Sequence, residues 1–334
     1  VVKRRFMALL KHINPFSKTN EDTGFSATIS SYGERFINKD GSFNLRKEGN
    51  RIWDRYSLFH IMLNLPIWAF VLVMVGAFIL VNLIYTGIYL AIGSAELQGI
   101  SAHSAWGIFK EVYYFSTETF TTVGYGRVNP VGDGANFLAS IEAMSGFLSF
   151  AVVTGLIYGR FARPKAHLAF SNHATITPFK GGNALMFRFA CYKDGHTLTD
   201  VTVQVNAAMQ VHEDGKQTYR YYELPLERHK IQSLPMNWTV VHVIDEQSPL
   251  LGLTAEDIKV ADLELYVLIK GFNDIYSNVV QQRTSYTFHE IIFNHKFVPM
   301  YRETAKGTVL EMQKLHDTIE VAANTEMVPV SAVS

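Results

Sequence analysis

Residues Thr117 to Pro130 read TETFTTVGYGRVNP, a stretch whose chemistry belongs to its main chain rather than to an acid, a base or a nucleophile. Gly124 and Gly126 alternate with Val123 and Tyr125. Glycine enters backbone regions that residues carrying a Cβ resist, so this alternation lets successive carbonyls turn to the same side. Carbonyls stacked in rings around an axis can replace the hydration shell of potassium. The candidate ligands are the backbone oxygens of Thr122, Val123, Gly124 and Tyr125, with the Thr122 hydroxyl adding an inner ring. Val123 and Tyr125 are expected to point back and brace the loop. Glu118, just before the loop, needs a partner at membrane depth, and Arg127, just after Gly126, is the nearby candidate for a supporting ion pair.

Such a loop needs hydrophobic walls. No Asp, Glu, Lys or Arg occurs from Leu63 to Gly93, and a first span is predicted over Leu65 to Ile92. At 1.5 Å per residue it covers roughly 40 Å, more than the ~30 Å hydrocarbon core. The run starts too far into the chain, and is too long, for a signal peptide. A second span is predicted over Ala135 to Phe161, with one acid, Glu142, expected to brace the interior. Between them Trp106 to Phe120 reads as a helix too short and too polar to cross. A short helix followed by irregular backbone at membrane depth is a re-entrant segment, tolerated only inside protein or along a water-filled cavity. Two spans and one such loop cannot enclose a pore; four copies around an axis can. Before the first span, Ile52, Trp53, Tyr56, Phe59 and Leu63 recur at helical spacing and predict an amphipathic helix lying in the interface over Asn50 to Leu63. Arg46, Lys47, Arg51 and Arg55 precede the first span and Arg160, Arg163 and Lys165 follow the second, which places both termini in the cytoplasm.

Four regions follow: a polar N-terminal segment (1–49), the interfacial helix (50–63), the pore domain (64–163) and a C-terminal domain (164–334). In the last, short β-branched or aromatic runs split by turn residues predict an antiparallel sandwich. The piece from Val309 to Val321 is ambiguous between helix and strand. With 30 basic and 30 acidic residues the net charge is zero, which gives no reason to expect nucleic acid. The single Cys191 excludes an intrachain disulfide and a cysteine-based zinc site. HEIIF at His289 lacks the second histidine of a zinc protease motif, and KGGN at Lys180 is not a phosphate loop. Nothing points to an enzyme. No span carries repeating arginines, as a voltage sensor would, and none of the twelve histidines stands out as a pH sensor.

Several segments resemble the inward-rectifier potassium channels, closest to their prokaryotic branch. RFINKDGSFN (Arg35 to Asn44) is similar to the family's N-terminal strand, WDRY to the start of its slide helix and GRFARPK (Gly159 to Lys165) to its inner-helix junction. HVIDEQSPL (His242 to Leu250) and QQRTSYTFHEIIFNHKFVP (Gln281 to Pro299) are similar to signatures of its cytoplasmic domain. The resemblance implies a slide helix, outer helix, pore helix, selectivity filter and inner helix joined to an immunoglobulin-like cytoplasmic sandwich. It implies a homotetramer in a bacterial inner membrane, with potassium as the permeant ion and no cofactor. Tyr158 then sits at the inner-helix crossing that closes the pore, Phe150 in the cavity wall and Gly146 at a hinge or packing position. Gly271 to Val280 aligns with a second, cytoplasmic constriction, with Ser277 and Asn278 near its apex. Arg160, Arg163 and Lys165 would meet anionic phospholipids or phosphoinositides. Strong rectifiers hold acids where this chain has Phe150 and Lys270, so block by internal polyvalent cations is expected to be weak. The competing expectation is a membrane-anchored ligand-sensing module with a vestigial pore.

Overall fold

The computed structural model describes residues 13–14, 16–20, 35–45, 48–49, 57–213 and 216–322. Contacts divide the chain into two compact units, one within Lys47–Arg163 and one drawn from Val1–Arg46 with Pro164–Ser334.

The first unit is helical. Helix α1 (Leu58–Asn64) stops at Leu65, whose extended backbone follows from the proline next to it, and α2 (Ile67–Ile92) starts directly after Pro66. The first part of the predicted interfacial helix, including Ile52, Trp53 and Tyr56, lies outside the described residues. Helix α3 (Ala105–Phe120) is capped by the Ser104 hydroxyl, which accepts from the Gly107 N–H at 3.1 Å. Helix α4 (Asp133–Phe161) completes the unit. Both α2 and α4 are long and apolar enough to cross a membrane, and α2 carries exposed Trp68, Leu72, Leu80 and Ile84. A surface of that kind suits hydrocarbon rather than water. Strands β1 (Leu97–Gln98) and β2 (Asn129–Pro130) pair antiparallel and close the end of the unit where the loop after α3 returns. There Glu96 accepts the Val131 N–H through its carbonyl and the Ala135 N–H, in the first turn of α4, through its carboxylate.

The second unit is a β-sandwich. One sheet contains β6 (Leu198–Glu213), β7 (Lys216–Glu223), β8 (Lys230–Leu234), β10 (Glu264–Asn273) and β11 (Asn278–Thr287), in the order β11-β10-β6-β7 with β8 also on β6. The other contains β3 (Leu168–Phe170), β4 (Ala174–Phe179), β5 (Gly182–Cys191), β9 (Asn237–Ile244) and β12 (Ile291–Phe293), in the order β12-β4-β5-β3 with β9 also on β5. Alternating apolar residues from the two inner faces fill one core: Leu185, Phe187 and Phe189 from β5 meet Val201, Val203 and Val205 from β6 and Leu265, Val267 and Ile269 from β10. The sandwich is not wholly antiparallel, since β12 pairs with β4 in parallel. A short helix α5 (Ala255–Val260) starts at a capping box of Thr254 with Asp257. Beyond the core lie β13 (His295–Phe297), β14 (Tyr301–Thr304), β15 (Gly307–Leu310) and β16 (Thr318–Glu320), with β14 paired to β15 and β13 to β16. The ambiguous stretch near 309–321 therefore resolves into strand, a 3-10 turn over Met312–His316, and strand.

Candidate functional site

Between α3 and β2 the backbone alternates. Thr122, Gly124 and Gly126 have φ of 59°, 54° and 80°, in the left-handed region, while Val123 and Tyr125 do not. A chain that switches hand at every residue turns its carbonyls to one side, and two of the three left-handed positions are glycines, which adopt that region at little cost. The loop is fixed at its base, where the Val123 and Gly124 N–H groups donate to the Glu118 carbonyl at 2.9 and 3.3 Å. Among the described residues the carbonyls of Thr122, Val123, Gly124 and Tyr125 accept no hydrogen bond. In the single chain Tyr125 is 80% exposed and Val123 53%.

The ion pair beside the loop differs from the expected one. Arg127 Nη1 lies 3.2 Å from Glu111 Oε1, and Glu118 makes no side-chain hydrogen bond or ion pair among the described residues. Glu111 also accepts from the Ser101 hydroxyl and N–H, both at 2.9 Å. The reason is geometric. An extended chain climbs up to about 3.3 Å per residue while a helix descends 1.5 Å, so a residue at the far end of the loop draws level with the first half of α3. The antiparallel return was therefore the signal that could have singled out Glu111.

A second carboxylate joins three helices of the pore unit, α2, α3 and α4. Glu142 on α4 is fully buried, accepts from the Tyr89 hydroxyl on α2 at 2.8 Å and from the Ser116 hydroxyl on α3. Ser116 lies 3.1 Å from Asn82 Oδ1, and the rings of Tyr89 and Phe115 meet edge to face. Glu142 thus braces the interior. Four residues on, Gly146 faces the end of α3 so closely that a Cβ there would lie 1.9 Å from the Phe120 carbonyl oxygen. The contact gives Gly146 a packing role whatever its part in bending. Phe150 and Tyr158 on α4 are 73% and 74% exposed.

Arg160 and Arg163 do not project freely. Arg160 donates to the Met62 and Leu65 carbonyls and Arg163 to the Asn64 side chain, whereas Lys165 is exposed in the other unit. In the sandwich Ser277 (φ 46°) ends the turn of the β10–β11 hairpin and Asn278 opens β11. Gly271 lies inside β10, buried against Leu198 and Val201 rather than at the apex, and Lys270 beside it is exposed.

Three of the segments that suggested a family, RFINKDGSFN, HVIDEQSPL and QQRTSYTFHEIIFNHKFVP, lie in this unit. The carboxylate of Glu264 accepts the Phe36 and Ile37 N–H groups, and Arg35 pairs with Glu290 at 2.6 Å. His242 is 2% exposed between the Pro225 carbonyl, 2.6 Å from Nδ1, and the Ser248 hydroxyl, 2.8 Å from Nε2. Burial holds its pKa below the ordinary imidazole value, and the Glu264 carboxyl is pushed above the usual range, also by burial.

Two membrane-length helices flanking a short helix and a loop of aligned carbonyls, with a β-sandwich attached, define a two-span pore-forming membrane protein. Residues 69–163 match the ion channel family and residues 168–332 the inward rectifier potassium channel C-terminal domain. The chain is 31% identical over 288 residues to inward rectifier potassium channel Kirbac3.1 of Paramagnetospirillum magnetotacticum, covering 85% of this chain and 95% of that one. It is 26% identical to ATP-sensitive inward rectifier potassium channel 12 of Bos taurus, over 86% of this chain and 72% of the relative. To inward rectifier potassium channel 4 of Homo sapiens it is 30% identical, over 64% and 50%. The chain belongs to the inward rectifier potassium channel family, a class of ion channels rather than enzymes, with potassium as the permeant ion.

Proposed function

We propose that four copies of the chain assemble around an axis and conduct potassium through the backbone carbonyls of Thr122, Val123, Gly124 and Tyr125. The observation that carries this reading is the alternating hand of residues 122 to 126 together with carbonyls that accept no hydrogen bond among the described residues. A row of oxygens without protein donors suits a dehydrated cation. Exposure of Tyr125, Phe150 and Tyr158 in the single chain supports the fourfold assembly, where neighbours would cover Tyr125 and the pore would be lined by the other two. Tyr158 closes the pore at the inner-helix crossing and Phe150 lines the cavity. The turn at Ser277 and Asn278 forms the cytoplasmic constriction, with Gly271 supporting it from within β10. Residues 164–334 regulate conduction from the cytoplasm, where both termini lie, and the membrane is a bacterial inner membrane. Anionic phospholipids or phosphoinositides act first through Lys165, because Arg160 and Arg163 are engaged within the pore unit.

Purified protein reconstituted in liposomes tests the reading. Potassium influx should exceed sodium influx by orders of magnitude, and chemical cross-linking should stop at four chains. Equal sodium flux, or a different subunit number, overturns it.

A further inference from the structure

The end of α4 is tied to the corner between α1 and α2. A helix leaves its last carbonyls without intrahelical partners. At the end of α1 Arg160 fills that need twice, Nη1 donating to the Met62 carbonyl and Nη2 to the Leu65 carbonyl, each at 2.7 Å. The same guanidinium lies over the Phe70 ring on α2, 4.7 Å from its centroid. One turn on, Arg163 donates to Asn64 Oδ1 at 2.7 Å. Gly159 packs at the same corner, where a Cβ would lie 3.3 Å from the Leu63 side chain. Three helices therefore converge on one side chain, two residues from Tyr158.

We propose that Arg160 is a positioning residue for gating. Its fork makes the end of α4, and Tyr158 with it, move together with the α1–α2 corner. The inference rests on the assignment of the gate to Tyr158. Its physical core is the planar fork, which reaches two carbonyls at once; a lysine ammonium is a single compact charge and cannot reproduce that geometry. A residue needed only for positive charge at the inner surface would be replaced by lysine without effect.

R160K and R160Q separate the two roles in full-length protein, with tetramer assembly checked by size-exclusion chromatography. Potassium flux is measured in vesicles of phosphatidylcholine alone and with phosphatidylglycerol added. Both variants should shift steady-state flux by roughly tenfold, within the range over which a lost coupling between two elements moves an equilibrium, and should do so in both vesicle types. R160K within twofold of the unsubstituted protein, or an effect confined to anionic vesicles, overturns the proposal. A second measurement needs no change at Arg160: F70A, which removes the ring under the guanidinium, and Y158A, singly and together, should alter flux non-additively, and additive effects overturn the coupling. Absence of potassium-selective flux in the unsubstituted protein would instead overturn the channel reading itself.

Discussion

At the scale of single residues, the pore unit is held by contacts that leave little room for substitution. Gly146 gives the sharpest case. A methyl group at that position would overlap the Phe120 carbonyl, two residues before the loop of aligned oxygens begins, so the end of α3 would have to move. Overpacking of this kind costs about 1–3 kcal/mol, and more where backbone must shift. G146A should therefore lower the thermal stability of the assembled channel and weaken potassium selectivity together. A pure hinge would leave melting and selectivity unchanged and alter only the open fraction, so thermal denaturation in detergent alongside flux measurements decides between them.

At the scale of elements, the helices were legible because their signals are local: an uncharged run for α2 and an apolar run with a single acid, Glu142, for α4. Most core strands of the sandwich announced themselves by alternation. What sequence concealed depends on how elements return upon one another. The Glu111–Arg127 pair follows from the antiparallel climb of the loop, and the parallel pairing of β12 with β4 joins strands far apart in the chain. Arg160 and Arg163 looked like free charges because nothing in their spacing reveals carbonyls almost a hundred residues earlier. Short edge pieces such as β3 and β8 lack enough residues to show a period. His242 illustrates how such a concealed contact acts on a whole element. It fixes the end of β9 to the turn at Ser248 as a neutral ring, with Nδ1 donating to Pro225 and Nε2 accepting from Ser248. Because its folded pKa lies below the unfolded value of about 6.5, the unfolded chain binds the extra proton first as pH falls. Stability is thus fully present above that value and declines as pH drops through the window between the two. Thermal unfolding of the full-length protein from pH 8 to 5 should show this loss, with a shallower acid slope in H242Q. An unchanged slope in that variant would assign the acid sensitivity to other groups.

At the scale of the whole molecule, conduction and block are decided by which charges a fourfold assembly would present along the axis, and the carboxylates are the informative ones. Helix α4 carries Asp133 at its start and Glu142 in its middle. Glu142 is fully buried and committed to Tyr89 and Ser116, so it offers no oxygen to a cation in the cavity. The exposed flank of the same helix presents Phe150, and the sandwich presents Lys270 as an exposed cation. A monovalent ion needs only a short dehydrating passage, but a spermine molecule must find fixed negative charge to dwell in the pore against the field. In the proposed tetramer four Phe150 rings and four Lys270 ammonium groups would supply none. Single-channel currents with spermine on the cytoplasmic side should therefore show only shallow voltage dependence of block. F150D, which would place four carboxylates on that flank, should make the block steep without changing the potassium-to-sodium ratio. Steep block in the unsubstituted channel would mean that another carboxylate faces the axis in the assembly.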